Sequence, residues 1–431
     1  MCLMNAYKKI MKDVDEDDFY CNDLIYSIQF SYYEHYFKSG IKKLYKRLTE
    51  GIFEEKINDY IKKESEGNGG NQEFAHVTYC VAPNAGDTVL SQCVRRTFQT
   101  NLKISNWRII PVNNEVSIEN IKAINKCGML VIGGGGLFLP DTNKNSISGW
   151  QWAISKKLLN EINVPISVYS VGYNYFKGQE NDSLFIDSLC ALTEKSAFLG
   201  LRNRGSIKAV RNLLPKKLST KIVFQPCTTT LIRKLYKDSI PAKKETGSIA
   251  INMAFDRENL RFGDNKEAIL KQVAEAVSKI EKKGYKIFYV CHCWNDDKFL
   301  PYLREKEIKY EFVDLSRKYP HDIYKFYNEI DLVLGMRGHA QMIPFGLNCE
   351  IISLGTHNKM RWFLDDIEAN NWYVDISDDI TTISDRILST FCNIHMTEHE
   401  TTKKRLLDEQ ENMWNITMNN LRIIGGLGIN Y

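Results

Sequence analysis

The sequence predicts an α/β chain of two Rossmann-like domains, with a helical N-terminal extension and a C-terminal helix. Three observations predict it. Short, continuous apolar runs alternate with longer amphipathic segments, the pattern of parallel strands covered on both faces by crossover helices. A charged, proline-bearing stretch, Lys237–Gly247, divides these runs into two sets. A polar, glycine-rich stretch, Glu64–Gln72, separates them from what precedes. The expected organisation is an extension over 1–72, domains over 73–236 and 248–392, and a C-terminal helix and tail over 393–431.

Residues 1–72 read as helical and charged, with an aromatic-rich stretch, Tyr26–Tyr36, followed by Lys38, Lys42, Lys43, Lys46 and Arg47. Strands of the first domain are expected at Val77–Ala82, Met129–Gly133, Ile166–Val171, Ala197–Leu201 and Ile222–Phe224. Its helices are expected at Thr88–Thr97, Ile118–Asn125, Gly149–Glu161 and Ser206–Leu213. The second domain should have strands at Ser248–Met253, Lys286–Cys291, Tyr310–Asp314, Leu332–Met336 and Cys349–Leu354. Its helices should cover Asn265–Lys283 and His321–Tyr327, with a further helix starting near Ala340. Glu398–Ile423 reads as a long polar helix.

Composition removes several function classes. With 431 residues, 43% hydrophobic and 26% charged, the chain is globular. Its 57 basic and 53 acidic residues leave a net charge of only +4, which argues against nucleic acid as the main partner. No apolar run reaches the ~18 residues that span a bilayer. Acids at Asp13, Asp15, Glu16, Asp17 and Asp18 stand where a signal peptide would be apolar. A cytoplasmic location is therefore expected. Eleven cysteines at irregular spacing read as free thiols. Cys291-His292-Cys293 lacks a second ligand pair, so no metal is expected there.

In two facing α/β domains, ligands bind beyond the carboxyl ends of the strands. Five stretches stand there. Asn84-Ala85-Gly86-Asp87 opens a helix; it is either a simple turn and cap or places Asp87 to orient or deprotonate a hydroxyl. Gly133–Gly136 exposes backbone N–H groups, with Gly134 and Gly135 at its centre, suited to an anion or to close packing. Arg202-Asn203-Arg204-Gly205-Ser206 follows a strand, and a strand-end arginine suits a carboxylate or phosphate, with a surface ion pair the alternative expected for one of Arg202 and Arg204. Arg337-Gly338-His339 places two basic side chains at a helix N-terminus, where the dipole favours negative charge, so a bound anion accounts for it. There Arg337 would grip the anion and His339 transfer a proton. Lys359, after Thr356-His357-Asn358, adds another cation. His292, with Asp296 and Asp297, is a weaker candidate to face the same cleft.

In order and spacing these motifs resemble the polysaccharide pyruvyl transferase family over most of residues 75–375. The resemblance rests on Asn84, Gly86 and Asp87; Gly133–Gly136; Ser170-Val171-Gly172; Arg202, Asn203 and Ser206; Arg337 and His339; and Lys359. The chain departs from the family pattern at Asn203, where aspartate is common, at Gln225-Pro226-Cys227, and at Cys349, where a proline is frequent. The first two bear on acceptor binding.

The resemblance implies a GT-B-like arrangement of the two domains and transfer of a pyruvyl group from phosphoenolpyruvate to sugar hydroxyls, commonly as a ketal, in cell-envelope polysaccharide biosynthesis. Donor binding is then expected from Arg202, Arg337, Lys359, Gly134 and Gly135, catalysis from His339, Arg337 and Asp87, and acceptor binding from Asn84, Asp87 and His292. No metal site is expected, because arginine and lysine can neutralise the leaving phosphate, and no cofactor beyond phosphoenolpyruvate as co-substrate. The acceptor would be a glycan or lipid-linked sugar, and the N-terminal region offers a surface for peripheral contact with the inner face of the membrane. The alternatives are a GT-B glycosyltransferase using a nucleotide-sugar and a binding or assembly protein that keeps the fold without its chemistry.

Overall fold

The computed structural model describes residues 72–79, 84–139, 145–174, 181–356 and 358–427, all within one unit of the chain. Residues 1–71 of the expected helical extension lie outside them. Two six-stranded sheets form. The first holds β1 (Glu73–Thr78), β2 (Asn106–Pro111), β3 (Leu130–Phe138), β4 (Ile166–Tyr173), β5 (Phe198–Leu201) and β6 (Ile222–Phe224), in the spatial order β2-β1-β3-β4-β5-β6. The second holds β7 (Ser248–Asn252), β8 (Lys286–Cys291), β9 (Tyr310–Asp314), β10 (Leu332–Gly335), β11 (Glu350–Gly355) and β12 (Tyr373–Asp375), in the order β12-β11-β10-β7-β8-β9. Every pairing is parallel. The order reverses between β1 and β3 in one sheet and between β7 and β10 in the other. Such switch points open a crevice at the strands' carboxyl ends.

Several boundaries differ from expectation. β1 starts at Glu73 rather than Val77, and residues 80–82 of the expected strand are outside the described set. The edge strands β2 and β12 are not foreseen. β2 is half-exposed and β12 only three residues long, so neither offers the continuous apolar run of a central strand. The helix expected over Gly149–Glu161 shrinks to Lys156–Asn160. Trp150 and Trp152 instead form a buried aromatic plug, with Trp150 edge-on to Phe138 at 5.4 Å. The helix Ser183–Lys195, capped by Asp182, is also not foreseen.

The two halves share an apolar core. Phe74, Val131 and Tyr169 on one face of the first sheet belong to the same cluster as the second sheet's interior. The helix Ala85–Leu102 links them through Val89, Leu90, Cys93, Val94 and Phe98. The opposite face packs a separate cluster around Val77, Ile132 and Val168. Polar contacts fix the register between halves. Tyr324 donates to Gln92 Oε1 at 2.9 Å. Asp366 accepts from the backbone N–H of Arg204 at 3.1 Å, an acid at the N-terminus of the helix Arg204–Leu213 as the dipole favours. The C-terminal helix His399–Gly425 reaches back to the first half. Gln225 donates to Thr417 Oγ1 at 3.1 Å and accepts from Asn420 Nδ2 at 2.9 Å. That explains the departure at residue 225: the buried amide docks this helix. Among the described residues no helix is long and apolar enough to cross a membrane.

Candidate active site

The carboxyl ends of the two sheets meet. Ala85 N donates to the carbonyl of His292 at 3.0 Å, and Asn84 and Cys293 form an isolated antiparallel bridge. Around this seam the first sheet contributes the turn after β1, the glycines of β3, the end of β4 and Arg202. The second contributes the ends of β7, β8 and β10.

The turn after β1 builds itself. Asn84 caps the helix, its Oδ1 accepting from Gly86 N at 2.9 Å, while its Nδ2 donates to Asp87 Oδ2 at 2.7 Å. Asn84 thereby orients Asp87 and keeps one amide N–H and one carbonyl lone pair beyond these two bonds. Gly86 lies against the His339 ring: a Cβ here would stand 2.7–2.8 Å from Cβ and Cγ of His339. Residue 86 must be glycine for the two motifs to touch. His339 begins the helix His339–Gly346, half-buried, with Nε2 3.8 Å from Cys227 Sγ.

The four glycines lie within β3, not in a loop after it. Gly133 and Gly135 still pair with Tyr169 and Val171 of β4, and the register shifts beyond Gly135. Gly134 and Gly135 have φ of +70° and +111°, conformations that L side chains resist. Neighbouring Ser170 is a non-glycine residue at φ 57°. That conformation costs about 1–2 kcal/mol, and the Ser170 hydroxyl holds it by donating to Pro226 O at 3.1 Å. Backbone strain collects in this way at functional sites.

Arg202 is the central finding. Its side chain is 3% exposed, and Nε, Nη1 and Nη2 have no hydrogen-bond partner among the described residues. The guanidinium lies over Gly172, where a Cβ would stand 2.5–2.6 Å from Cζ and Nη2, and 3.6 Å from the Cβ position of Gly136. Burial lowers its pKa, with Cys227 and Asp87 partly restoring the charge. Buried guanidiniums are ordinarily paired. Among the described residues this one has no hydrogen-bonded counter-ion, Asp87 acting on it only at longer range, and it sits over two glycines beside a strained, glycine-rich strand end. Asn203 caps the following helix, accepting from Ser206 N at 2.6 Å, and the Ser206 hydroxyl donates to Tyr173 O at 3.1 Å. Asparagine caps as aspartate does, so residue 203 positions Arg202 and does not reshape the cleft.

Arg337 behaves differently from expectation. Its Nε and Nη2 grip Asp296 at 2.6–3.0 Å, and Nη1 meets Asp256 at 2.8 Å. Asp296 is fully buried and also accepts from the backbone N–H groups of His292 and Cys293 at 3.0 and 3.1 Å. Burial alone would weaken the Arg337 cation, and Asp296 more than offsets it, so its pKa rises. Burial pushes Asp256 upward, but Arg261 and Arg337 outweigh it and hold the carboxyl well below its usual range. Arg337 is thus a keystone that shapes the second half's loops, and its carboxylate partners occupy the edge expected to bind donor. The Asp256–Arg261 pair is the part that sequence reading missed; its place at the end of β7, beside the switch point, is the signal that marks it.

His292 does not line the cleft. It is fully buried, with Nε2 2.6 Å from Tyr327 Oη, and burial then Arg337 lower its pKa to about 3. Only its carbonyl serves the seam, so it is not an acceptor ligand. Cys293 is pushed up to about 12, chiefly by burial, which makes it a neutral thiol. The backbone of Lys359 lies in the helix Asn358–Asp366; its side chain and His357 are outside the description.

The family profile for polysaccharide pyruvyl transferase matches residues 12–358, a span that includes every cleft residue from Asn84 to His339. The chain belongs to the polysaccharide pyruvyl transferase family. It is accordingly a transferase acting in glycan modification. No curated protein matches the chain. Among solved structures it is similar to the MnaA–UDP complex of S. aureus, at 12% identity over 82% of this chain and 95% of that one, with a TM-score of 0.52. It is also similar to a glycosyltransferase from Rickettsia africae ESF-5, at 13% identity over 84% and 100% of the two chains, with a TM-score of 0.50. At such identities the likeness concerns the fold, which is GT-B-like.

Proposed function

We propose that this pyruvyl transferase takes phosphoenolpyruvate as donor and forms a ketal on a sugar of a glycan or lipid-linked precursor. The observation that supports this reading is Arg202, a buried guanidinium with no hydrogen-bond partner among the described residues, set against Gly136 and Gly172 on the side of the seam that carries Asp87. A carboxylate or phosphate supplies the paired acceptors that a guanidinium fork lacks here. Gly134 and Gly135 let the donor approach the main chain, and Lys359 adds charge from the second half.

His339 gives a proton to the methylene carbon of the donor. One sugar hydroxyl, oriented by Asp87, adds to the central carbon and gives its proton to Asp87, and a second hydroxyl displaces phosphate, which leaves with that hydroxyl's proton, to close the ketal. Arg202 holds the donor's negative charge throughout. Arg337 positions the loop that carries His339. The nucleotide-sugar alternative shares the fold, which does not decide chemistry. Phosphate release from phosphoenolpyruvate, followed with a panel of free and lipid-linked glycans, tests the proposal. His339→Ala should slow it by about 10²–10⁴-fold. Near-full turnover of that variant would remove His339 as proton donor, and release of a nucleoside diphosphate from a nucleotide-sugar would replace the reading.

A further inference from the structure

A second constellation lies at the opposite end of the second sheet, away from the donor cleft. Glu350 opens β11 at its amino end and is 2% exposed. Among the described residues no lysine or arginine pairs with its carboxylate. Its partners are two imidazoles: Oε1 meets Nδ1 of His399 at 2.7 Å, and Oε2 meets Nδ1 of His395. The histidines stand four residues apart. His395 lies in a π-helical turn, Cys392–Thr397, and His399 begins the C-terminal helix. Widened turns of this kind recur at functional sites.

His399 faces carboxylates through both ring nitrogens, because its Nε2 lies 3.0 Å from Glu245 Oε1. A neutral imidazole has one N–H and can satisfy only one of them, so the cluster needs either a second proton on the ring or a bound cation. A buried carboxylate without a compensating cation is costly. A cation taking the place of the proton between Nδ1 of His399 and Glu350, with the two drawn apart from their present 2.7 Å, resolves both problems at once. Nδ1 becomes a ligand, Nε2–H donates to Glu245, and the carboxylate is neutralised. A metal-binding histidine that donates its other N–H to a carboxylate is the usual outer arrangement of such sites.

We propose that Glu350, His395 and His399 bind a divalent transition metal of the zinc class. The three ligand atoms lie within 4.8 Å of one another. Tetrahedral zinc with bonds of about 2.1 Å needs them about 3.4 Å apart, so the two histidine–carboxylate contacts must open to admit it, while no atom pair has to close by more than about 1.4 Å. Two imidazoles and a carboxylate are a recognised zinc set that leaves one position open. Glu350 and His399 also line a cavity of about 530 Å³ with Glu245, Lys243, Lys244 and Lys403, which has room for water or a small anionic ligand. The metal would tie three segments together: the stretch between the halves at Glu245, the start of β11, and the root of the helix that reaches Gln225.

The test uses full-length protein, freed of any affinity tag and stripped with a chelator. Zinc is titrated against a chromophoric competitor, and cobalt absorption is recorded in parallel. The expected result is one equivalent per chain, with a tetrahedral cobalt spectrum lacking thiolate charge-transfer bands. Glu350→Gln should weaken binding at least tenfold, His395→Gln with His399→Gln should abolish it, and zinc should raise the unfolding midpoint of the wild type alone. The cobalt spectrum needs no variant, so a folding failure does not decide the matter. Thiolate bands, equal uptake by wild type and the double histidine variant, or no saturable uptake at micromolar free zinc would overturn the proposal and leave an imidazolium–carboxylate cluster.

Discussion

Replacing Arg202 with methionine should make the protein more stable while removing its donor affinity. A structural arginine gives the opposite sign, because its removal leaves a hole or an orphaned partner. Here Nε, Nη1 and Nη2 are buried without partners. Each unsatisfied buried donor costs about 1–3 kcal/mol, and attraction from Asp87 and Cys227 returns part of that. Methionine keeps the unbranched stem over Gly172 and removes the charge. A net gain of about 2 kcal/mol is a reasonable expectation from these opposing terms. At about 2.1 cal/mol/K of unfolding entropy per residue, a chain of 431 residues has about 0.9 kcal/mol/K, so the midpoint should rise by about 2 °C. Differential scanning fluorimetry of the ligand-free variant, checked by urea unfolding, reads the effect. A midpoint several degrees below wild type would show instead that Arg202 holds the fold rather than awaiting an anion.

Other outcomes follow from the same geometry. Gly172→Ala puts a methyl group 2.5–2.6 Å from the guanidinium, so donor affinity should fall at least tenfold with far-ultraviolet circular dichroism unchanged; unaltered affinity in a titration would contradict the placement. Gly86→Ala should push His339 away from the Asp87 turn and lower turnover more than it raises the donor KM, which steady-state kinetics can separate. Burial raises the pKa of Asp366 to about 7, against about 3.9 in an unfolded chain. The folded state therefore keeps a proton that the unfolded chain has lost, and this contribution is full below pH 4 and fades as pH rises through 7. Asp366→Asn should accordingly gain stability over wild type between pH 5 and pH 8 in urea unfolding, and a gap independent of pH would contradict that burial.

The central strands were legible because a strand buried on both faces must be continuously apolar, as in β3, β4, β7 and β10. The edge strands β2 and β12 carry no such demand and escaped notice. Strand ends located the cleft, and Arg202, Gly86, Asp87 and His339 all come to it. What sequence could not separate was two kinds of strand-end arginine. Arg202 and Arg337 look alike in the chain, yet one lies over glycines without a partner and the other is gripped by Asp296 and Asp256 from distant segments. Likewise His292 follows a strand as a ligand would, and only the packing of Tyr327 shows that its ring turns inward. Gln225 and Asn203 read as departures from a catalytic pattern, but one docks the last helix and the other caps a helix.

On the proposed function, the cleft between the sheets is an anion site built on Arg202 for phosphoenolpyruvate. Calorimetric titration of wild type and Arg202→Met with phosphoenolpyruvate and with UDP tests it most directly. Saturable phosphoenolpyruvate binding by the wild type, lost in Arg202→Met, with no heat from UDP, is the expected result. Binding of UDP unaffected by the substitution, or of phosphoenolpyruvate with equal affinity in both proteins, would contradict it.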